Sequence, residues 1–297
     1  MHTTSAKLPA LSFLSAALFV AGFPPKTNHH RKLFSIAANS LGLIESQNAK
    51  SISGVSYSDV IDGLDLLYPP SELSQRNALS RTDGYWPFVK DGQTPPPEYT
   101  YGEIDLPFFA QLLDKANDFV SENGWKDCTF CDIGSGTGRL VVSAAALHPG
   151  LALCRGVEFL PGCHNLAVAT IAKCQDGLAL SQKSTPLIMS PVNLQCASIG
   201  DSATFIGDVD VFFAAASCMS EEVLEMISKA VGTQCKVGTI VITTDYEIPT
   251  SGTVANTNGA ETPYRFELLE QMDGYVWVVG GICTAYFFRL VEGARGE

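Results

Sequence analysis

The sequence predicts an α/β fold: a seven-stranded, mostly parallel, Rossmann-like sheet that ends in an antiparallel hairpin. Three observations carry this expectation. From about residue 125 onward, short apolar runs alternate with helical patterns, which requires right-handed crossovers and a parallel sheet. The first of these runs meets the next helix through a turn built on Gly134, Gly136 and Gly138. The last apolar runs have no helix between them, so they fold back on each other as a hairpin.

The chain has 297 residues, of which 46% are hydrophobic and only 17% charged, and this excludes intrinsic disorder or a charge-rich coiled coil for the whole. Its first 50 residues carry five Lys/Arg and one Asp/Glu, whereas the net charge of the chain is −12. So acidic a body repels polyphosphate, and no direct nucleic-acid binding is expected. Leu8 to Phe23 is an uncharged, mostly apolar run behind Lys7, with Val20 and Gly22 spaced for cleavage after Gly22. That is the pattern of a signal-type leader over 1–22, too short for a comfortable membrane span of ~20 residues. Residues 23–50 open on Phe23-Pro24-Pro25 and hold no acid before Glu45, as a basic transit segment does. Together they resemble the bipartite presequences of algae with secondary plastids, which implies an organellar, plastid destination. A plain secretory leader or a membrane anchor is the alternative. No later run is long and apolar enough to cross a bilayer, so no membrane span is expected after the presequence is removed.

Residues 51–104 show helical hints from Val60 to Leu67 and turns at Pro69-Pro70, Asp83-Gly84 and Pro95-Pro96-Pro97. They read as an irregular N-terminal arm ahead of a main domain over 105–297. Asp105 is a candidate N-cap for a helix that tolerates Pro107 in its first turn. Leu106, Phe109, Ala110, Leu113, Ala116, Phe119 and Val120 recur at three and four residues along it, and Gly124 stops it. Strands are expected at 129–133, 152–157, 193–197, 209–215 and 239–244, with helices over 139–148, 160–174 and 220–231. In the tail, 264–271, 275–279 and 283–291 are strand-like, with Asp273-Gly274 and Gly280-Gly281 as turns. The nine cysteines show no metal-ligand spacing. Cys128 and Cys131 lie three apart on a strand, facing opposite sides, and suit small buried hydrophobes in a reducing compartment.

The chemistry concentrates in Cys131-Asp132-Ile133-Gly134-Ser135-Gly136-Thr137-Gly138-Arg139. Glycines there let the backbone turn tightly and approach a ligand that a Cβ would keep away. The G-x-G-x-G spacing differs from the dinucleotide G-x-G-x-x-G, and Asp132 would repel phosphates but accept a hydrogen bond from an ammonium group. Glu158 ends the second strand, where a carboxylate can accept from both hydroxyls of a ribose. Gly200-Asp201 follows the third strand, a place for a side chain that reads an adenine amino group, or for a simple turn.

Seven strands, parallel first and hairpin last, are the architecture of the class I S-adenosylmethionine-dependent methyltransferases. Within that class the chain resembles the non-SET histone-lysine methyltransferases, the disruptor-of-telomeric-silencing family. The resemblance runs from about Tyr85 to Leu290. It rests on Tyr101-Gly102-Glu103, Asp132 to Gly138, Gly156-Val157-Glu158, Gly200-Asp201, Phe213 to Met219 with Ser220-Glu221-Glu222-Val223, and Val276-Trp277 through Tyr286. It implies S-adenosylmethionine as the methyl donor, bound by Glu103, Asp132, Gly134, Ser135, Gly136, Gly138, Arg139, Glu158 and Asp201. It implies as well a protein substrate bearing a lysine, delivered through a channel walled by Tyr101, Phe213, Trp277 and Tyr286. Tyr101, Tyr286 and Ser217 are the residues expected at the reacting methyl. The chain departs from the family pattern at Ile104, Arg139, Ala215 and Ala216, where the family has Thr, Gln and paired Asn; Ser217 and Cys218 return some polarity there. A small-molecule methyltransferase, with the arm as a lid, and a non-catalytic donor-binding module are the alternatives.

Overall fold

The computed structural model describes residues 50–120, 124–201, 204–255, 259–276 and 281–294. The expected leader, all of the transit-like segment except Lys50, and Trp277 lie outside them. The first helices are α1 (Tyr57–Leu67), α2 (Leu73–Ser80) and α3 (Trp86–Lys90), followed by α4 (Leu106–Val120). Alternation then sets in with β1 (Thr129–Ile133), α5 (Arg139–Leu147), β2 (Leu153–Glu158) and α6 (Pro161–Ile171). A short ribbon of β3 (Leu178–Leu180) and β4 (Lys183–Leu187) precedes β5 (Val192–Cys196), β6 (Val211–Ala214), α7 (Glu221–Gln234) and β7 (Ile240–Thr244). The chain closes with β8 (Ser251–Ala255), β9 (Glu261–Val276) and β10 (Gly281–Glu292).

The sheet runs β5-β2-β1-β6-β7-β10-β9-β8; its first five strands are parallel and its last three antiparallel. Side chains alternate across it, so each strand serves two cores. Phe130, Phe213, Ile242 and Phe287 point to a core shared with α1, α4 and α5. Cys131, Phe212, Val241 and Phe288 point to a second core under α7. Ser220 is the N-cap of α7, its hydroxyl accepting the Val223 N–H.

Two sequence expectations are corrected here. The segment 51–104 is not irregular. α1, which covers the hinted Val60 to Leu67, buries Val60 and Leu64, one turn apart, in the same core as α4, so this part of the segment belongs to the main body. The sheet has eight strands and not seven, and Asp273-Gly274 is no turn. Both residues lie inside the 16-residue β9, paired with Thr284 and Cys283 of β10. The glycine is there for space, because a Cβ at Gly274 would lie 1.9 Å from Cε2 of Phe108, a buried residue of α4. β9 extends beyond the residues that pair with β10 and offers its first five, Glu261 to Arg265, to β8. The turn expected at Gly280-Gly281 falls partly outside the described residues.

Gly274→Ala should therefore destabilise the fold by about 2–3 kcal/mol through overpacking against Phe108. Asp273→Ala beside it, which loses only an exposed cross-strand hydrogen bond with Thr284, should cost less than about 1 kcal/mol. Urea unfolding of the two variants compares them directly.

Candidate active site

The strand order reverses between β1 and β6, so their crossovers leave in opposite directions and open a crevice at the carboxyl ends of the strands. The glycine-rich loop stands at that point. Gly134, Gly136 and Gly138 all have positive φ, between 54° and 81°, a backbone shape that L side chains rarely adopt. The loop is pinned from β2: the N–H groups of Gly134 and Ser135 donate to the Val157 carbonyl, and Gly136 N–H donates to Glu158 at 2.7 Å. The other Glu158 oxygen accepts the Leu160 N–H at 2.7 Å. Gly156 makes room for the hydroxyl of Ser135, which would lie 2.7 Å from a Cβ there.

Asp132, at the carboxyl end of β1, is 2% exposed. Burial and the nearby Glu158 charge push its carboxyl well above the usual carboxylate range. Glu158 is raised too, by burial, with the Leu160 and Gly136 N–H groups working against the rise. Two carboxylates that strain against each other beside a loop built for close backbone approach fit a ligand with a cationic end. Each Glu158 oxygen keeps a second lone pair, enough to accept from a diol. Phe159, which sequence reasoning passed over, is 54% exposed next to Glu158 and stacks on Tyr99 at 5.8 Å, a ready face for a flat heterocycle. Its only sequence signal was an aromatic residue directly after the ribose-site acid. These residues match the parts of S-adenosylmethionine: an ammonium, a ribose and an adenine.

The arm meets this loop through Tyr101. A Cβ at Gly136 would lie 2.7 Å from the Tyr101 ring, and the Tyr101 hydroxyl donates to Glu103 at 2.9 Å and shares a 2.8 Å hydrogen bond with Thr137. Burial and the Glu103 charge raise the Tyr101 phenol far above its usual range, so it stays protonated. Glu103 and Arg139, both expected at the donor, are engaged with protein groups. Glu103 is paired with Arg76 at 2.6 Å and with Arg139 at 3.7 Å, and Arg139 also donates to the Ile104 carbonyl. Asp201 is exposed, and its carboxylate accepts the Ser198 N–H at 3.0 Å, closing a turn.

A second group gathers at the ends of β6 and β7. The Ser217 hydroxyl donates to Asp245, a residue the sequence reading did not select. Asp245 holds φ at 65°, unusual for a residue other than glycine. Half-buried Tyr286 stacks on Phe288 at 6.4 Å. Burial raises its phenol, helped by the charges of Glu247, Asp245 and Asp273. Burial also raises Cys218, again with Asp245 contributing. The available signal was positional: an acid directly after the fifth parallel strand. Phe213, expected to wall the channel, is corrected. It is fully buried, edge-on to Phe109 at 5.1 Å, because its place in β6 turns it into the core under α4. Tyr101 lies at the glycine loop and Tyr286 beside Asp245, and the Pro97–Tyr99 turn just ahead of Tyr101 packs against the Ala216–Cys218 turn.

Among solved structures, the chain is similar to the rRNA methyltransferase AviRa from Streptomyces viridochromogenes, with 14% identity and a TM-score of 0.44 over 64% of this chain and 86% of that one. It is similar as well to TrmN from Thermus thermophilus (13% identity, TM-score 0.44, 67% of this chain and 54% of that one). The N-methyltransferase NodS from Bradyrhizobium japonicum, in complex with S-adenosyl-L-homocysteine, matches at 10% identity and TM-score 0.40 over 62% of this chain and 88% of its own. No curated protein matches. The family model described as histone methylation protein DOT1 matches residues 94–276, a span that holds Tyr101, the glycine loop, Glu158 and Asp245. The chain thus belongs to the DOT1 family of histone methylation proteins and is an S-adenosylmethionine-dependent methyltransferase.

Proposed function

We propose that this chain methylates the side-chain amine of a lysine in a protein, with the donor held on residues 132–138 and Glu158 and the lysine entering beside Ser217, Asp245 and Tyr286. The observation that carries this reading is the negative rim at the acceptor end of the edge. Asp245, Glu247 and Asp273 all act on Tyr286, and among the described residues none of the three pairs with a Lys, Arg or His. Such a rim concentrates a cationic side chain near the site. The donor supplies a sulfonium methyl that is already activated, so alignment and exclusion of water do most of the remaining work. A lysine ammonium must give up its proton before its nitrogen can attack. Asp245, hydrogen-bonded to Ser217, is the carboxylate this edge offers to take it. Residues 1–50 support a further reading, organellar delivery with a plastid favoured, which a fluorescent fusion of that segment tests.

Incubation of the chain with core histones and with an organelle extract, using methyl-labelled donor, tests the substrate class. Label on lysine in acid-precipitable protein is the expected outcome. Label confined to solvent-extractable material would overturn it in favour of a small-molecule acceptor.

Asp132 gives a pH prediction with a fixed sign. Its pKa is raised without the donor and a bound ammonium lowers it, so donor affinity should rise with pH through the range in which Asp132 ionises, with proton release on binding, and level off once it is fully ionised. Titration calorimetry in buffers of different ionisation enthalpy should detect that proton release. Asp132→Asn should abolish the release and weaken binding by about 1.5–3 kcal/mol, roughly 10- to 150-fold in Kd.

Asp245→Asn keeps the partner of Ser217 and tolerates the left-handed backbone, and so removes the charge and the proton acceptor while sparing the local fold. It should raise KM for a lysine peptide by about 3- to 10-fold, as expected from the loss of roughly 1 kcal/mol of attraction at a partly buried site, and lower kcat as well, because an amide cannot take the lysine proton. Donor affinity should stay unchanged, and steady-state kinetics with both substrates varied separates the two effects.

A further inference from the structure

The short helix α2 presents a puzzle of packing. Its buried residues are Arg76 and Ser80, with no buried apolar side chain to dock it. What docks it is polar. The side chains of Arg76 and Glu103 are only 4% and 7% exposed and meet at 2.6 Å. Arg76 also donates to the Pro69 carbonyl at 3.0 Å, and its guanidinium lies 6.0 Å from the centre of the Tyr68 ring. Tyr68 in turn donates to the Thr137 carbonyl at 2.9 Å, inside the glycine loop. From Arg76, two routes therefore reach Thr137: one through Tyr68, the other through Glu103 and the Tyr101 hydroxyl. Burying such an ion pair brings little net stability, since desolvation offsets attraction, and well-packed apolar residues serve the fold as well or better. A pair of this kind is informative chiefly about position.

We propose that Arg76 is a positioning residue for methyl transfer, which orients Glu103 and through it sets Tyr101 and Thr137 on the donor loop. The inference rests on the reading that the donor lies on residues 132–138. Arg76 is remote from the reacting atoms in this account; it acts by holding the loop in its donor-binding shape before the donor arrives, so that little ordering remains to be done on binding.

The test uses the full chain and five variants, Arg76→Met, Arg76→Met/Glu103→Leu, Arg76→Lys, Tyr101→Phe and Arg76→Met/Tyr101→Phe. The readouts are melting temperature, amide hydrogen exchange of residues 133–139 without donor, and calorimetric affinity for S-adenosylmethionine and its demethylated product. The double variant replaces the pair by apolar side chains, so it should melt within a few degrees of the wild type. It should nevertheless exchange faster across 133–139 and bind the donor at least tenfold more weakly. Arg76→Lys, which keeps a charge on Glu103, should bind to within about threefold of the wild type. The losses from Arg76→Met and Tyr101→Phe should not add, because both act on one ring. Variants that melt lower yet bind normally per folded molecule would overturn the inference, leaving Arg76 a purely structural residue. It also fails if Arg76→Lys binds no better than Arg76→Met. A wild type that binds neither ligand overturns the donor-site reading and this inference together; a wild type that binds, with variants that match it, overturns this inference alone.

Discussion

The structure depends on the way the end of β2 holds the loop after β1. Left to itself, a segment with three glycines in five residues has many conformations and a large entropy to lose. Here the Val157 carbonyl takes two of its N–H groups and Glu158 a third, which fixes the left-handed turns at the point where the strand order reverses. One carboxylate thereby does two jobs: it is part of the loop's hydrogen bonding and it remains an acceptor for a ligand. The same arrangement leaves Asp132 buried against a like charge, a tension that a cationic ligand relieves.

The N-terminal segment completes the loop from the opposite side. Its attachment is apolar where it joins the main core, through Val60 and Leu64, and polar where it meets the donor loop, through Tyr68, Arg76, Tyr101 and Glu103. The division is physically sensible. Apolar contacts are non-directional and supply stability, whereas hydrogen bonds and a guanidinium fork are directional and supply placement. The acceptor end of the edge is built differently again. Glu247 and Asp273 are exposed there and Asp245 partly so, and none of the three is ion-paired among the described residues, so on the proposed reading they attract a cation with less of the desolvation cost that a fully buried charge carries.

The sequence by itself determined the fold class, because alternation of apolar runs with helical periods is a local signal. It placed β1 at 129–133 and α5 from Arg139, and it marked Asp132, the three glycines and Glu158. These residues are legible because their chemistry depends on neighbours within one strand, turn and helix. Only the tertiary structure decided the rest. Gly274 reads as a turn in sequence and is a mid-strand gap for Phe108, 166 positions away, since a glycine's local freedom says nothing about what packs on it. Phe213 reads as a channel wall and is core, because which face of β6 is covered depends on α4. Glu103 and Arg139 also have protein partners, Arg76 and the Ile104 carbonyl, that no local pattern announces, and Asp245 joins Ser217 across 28 residues. Pairings of that kind are set by where separate elements come to rest, and burial of apolar surface, which is non-directional, leaves that placement unwritten in any local stretch of sequence.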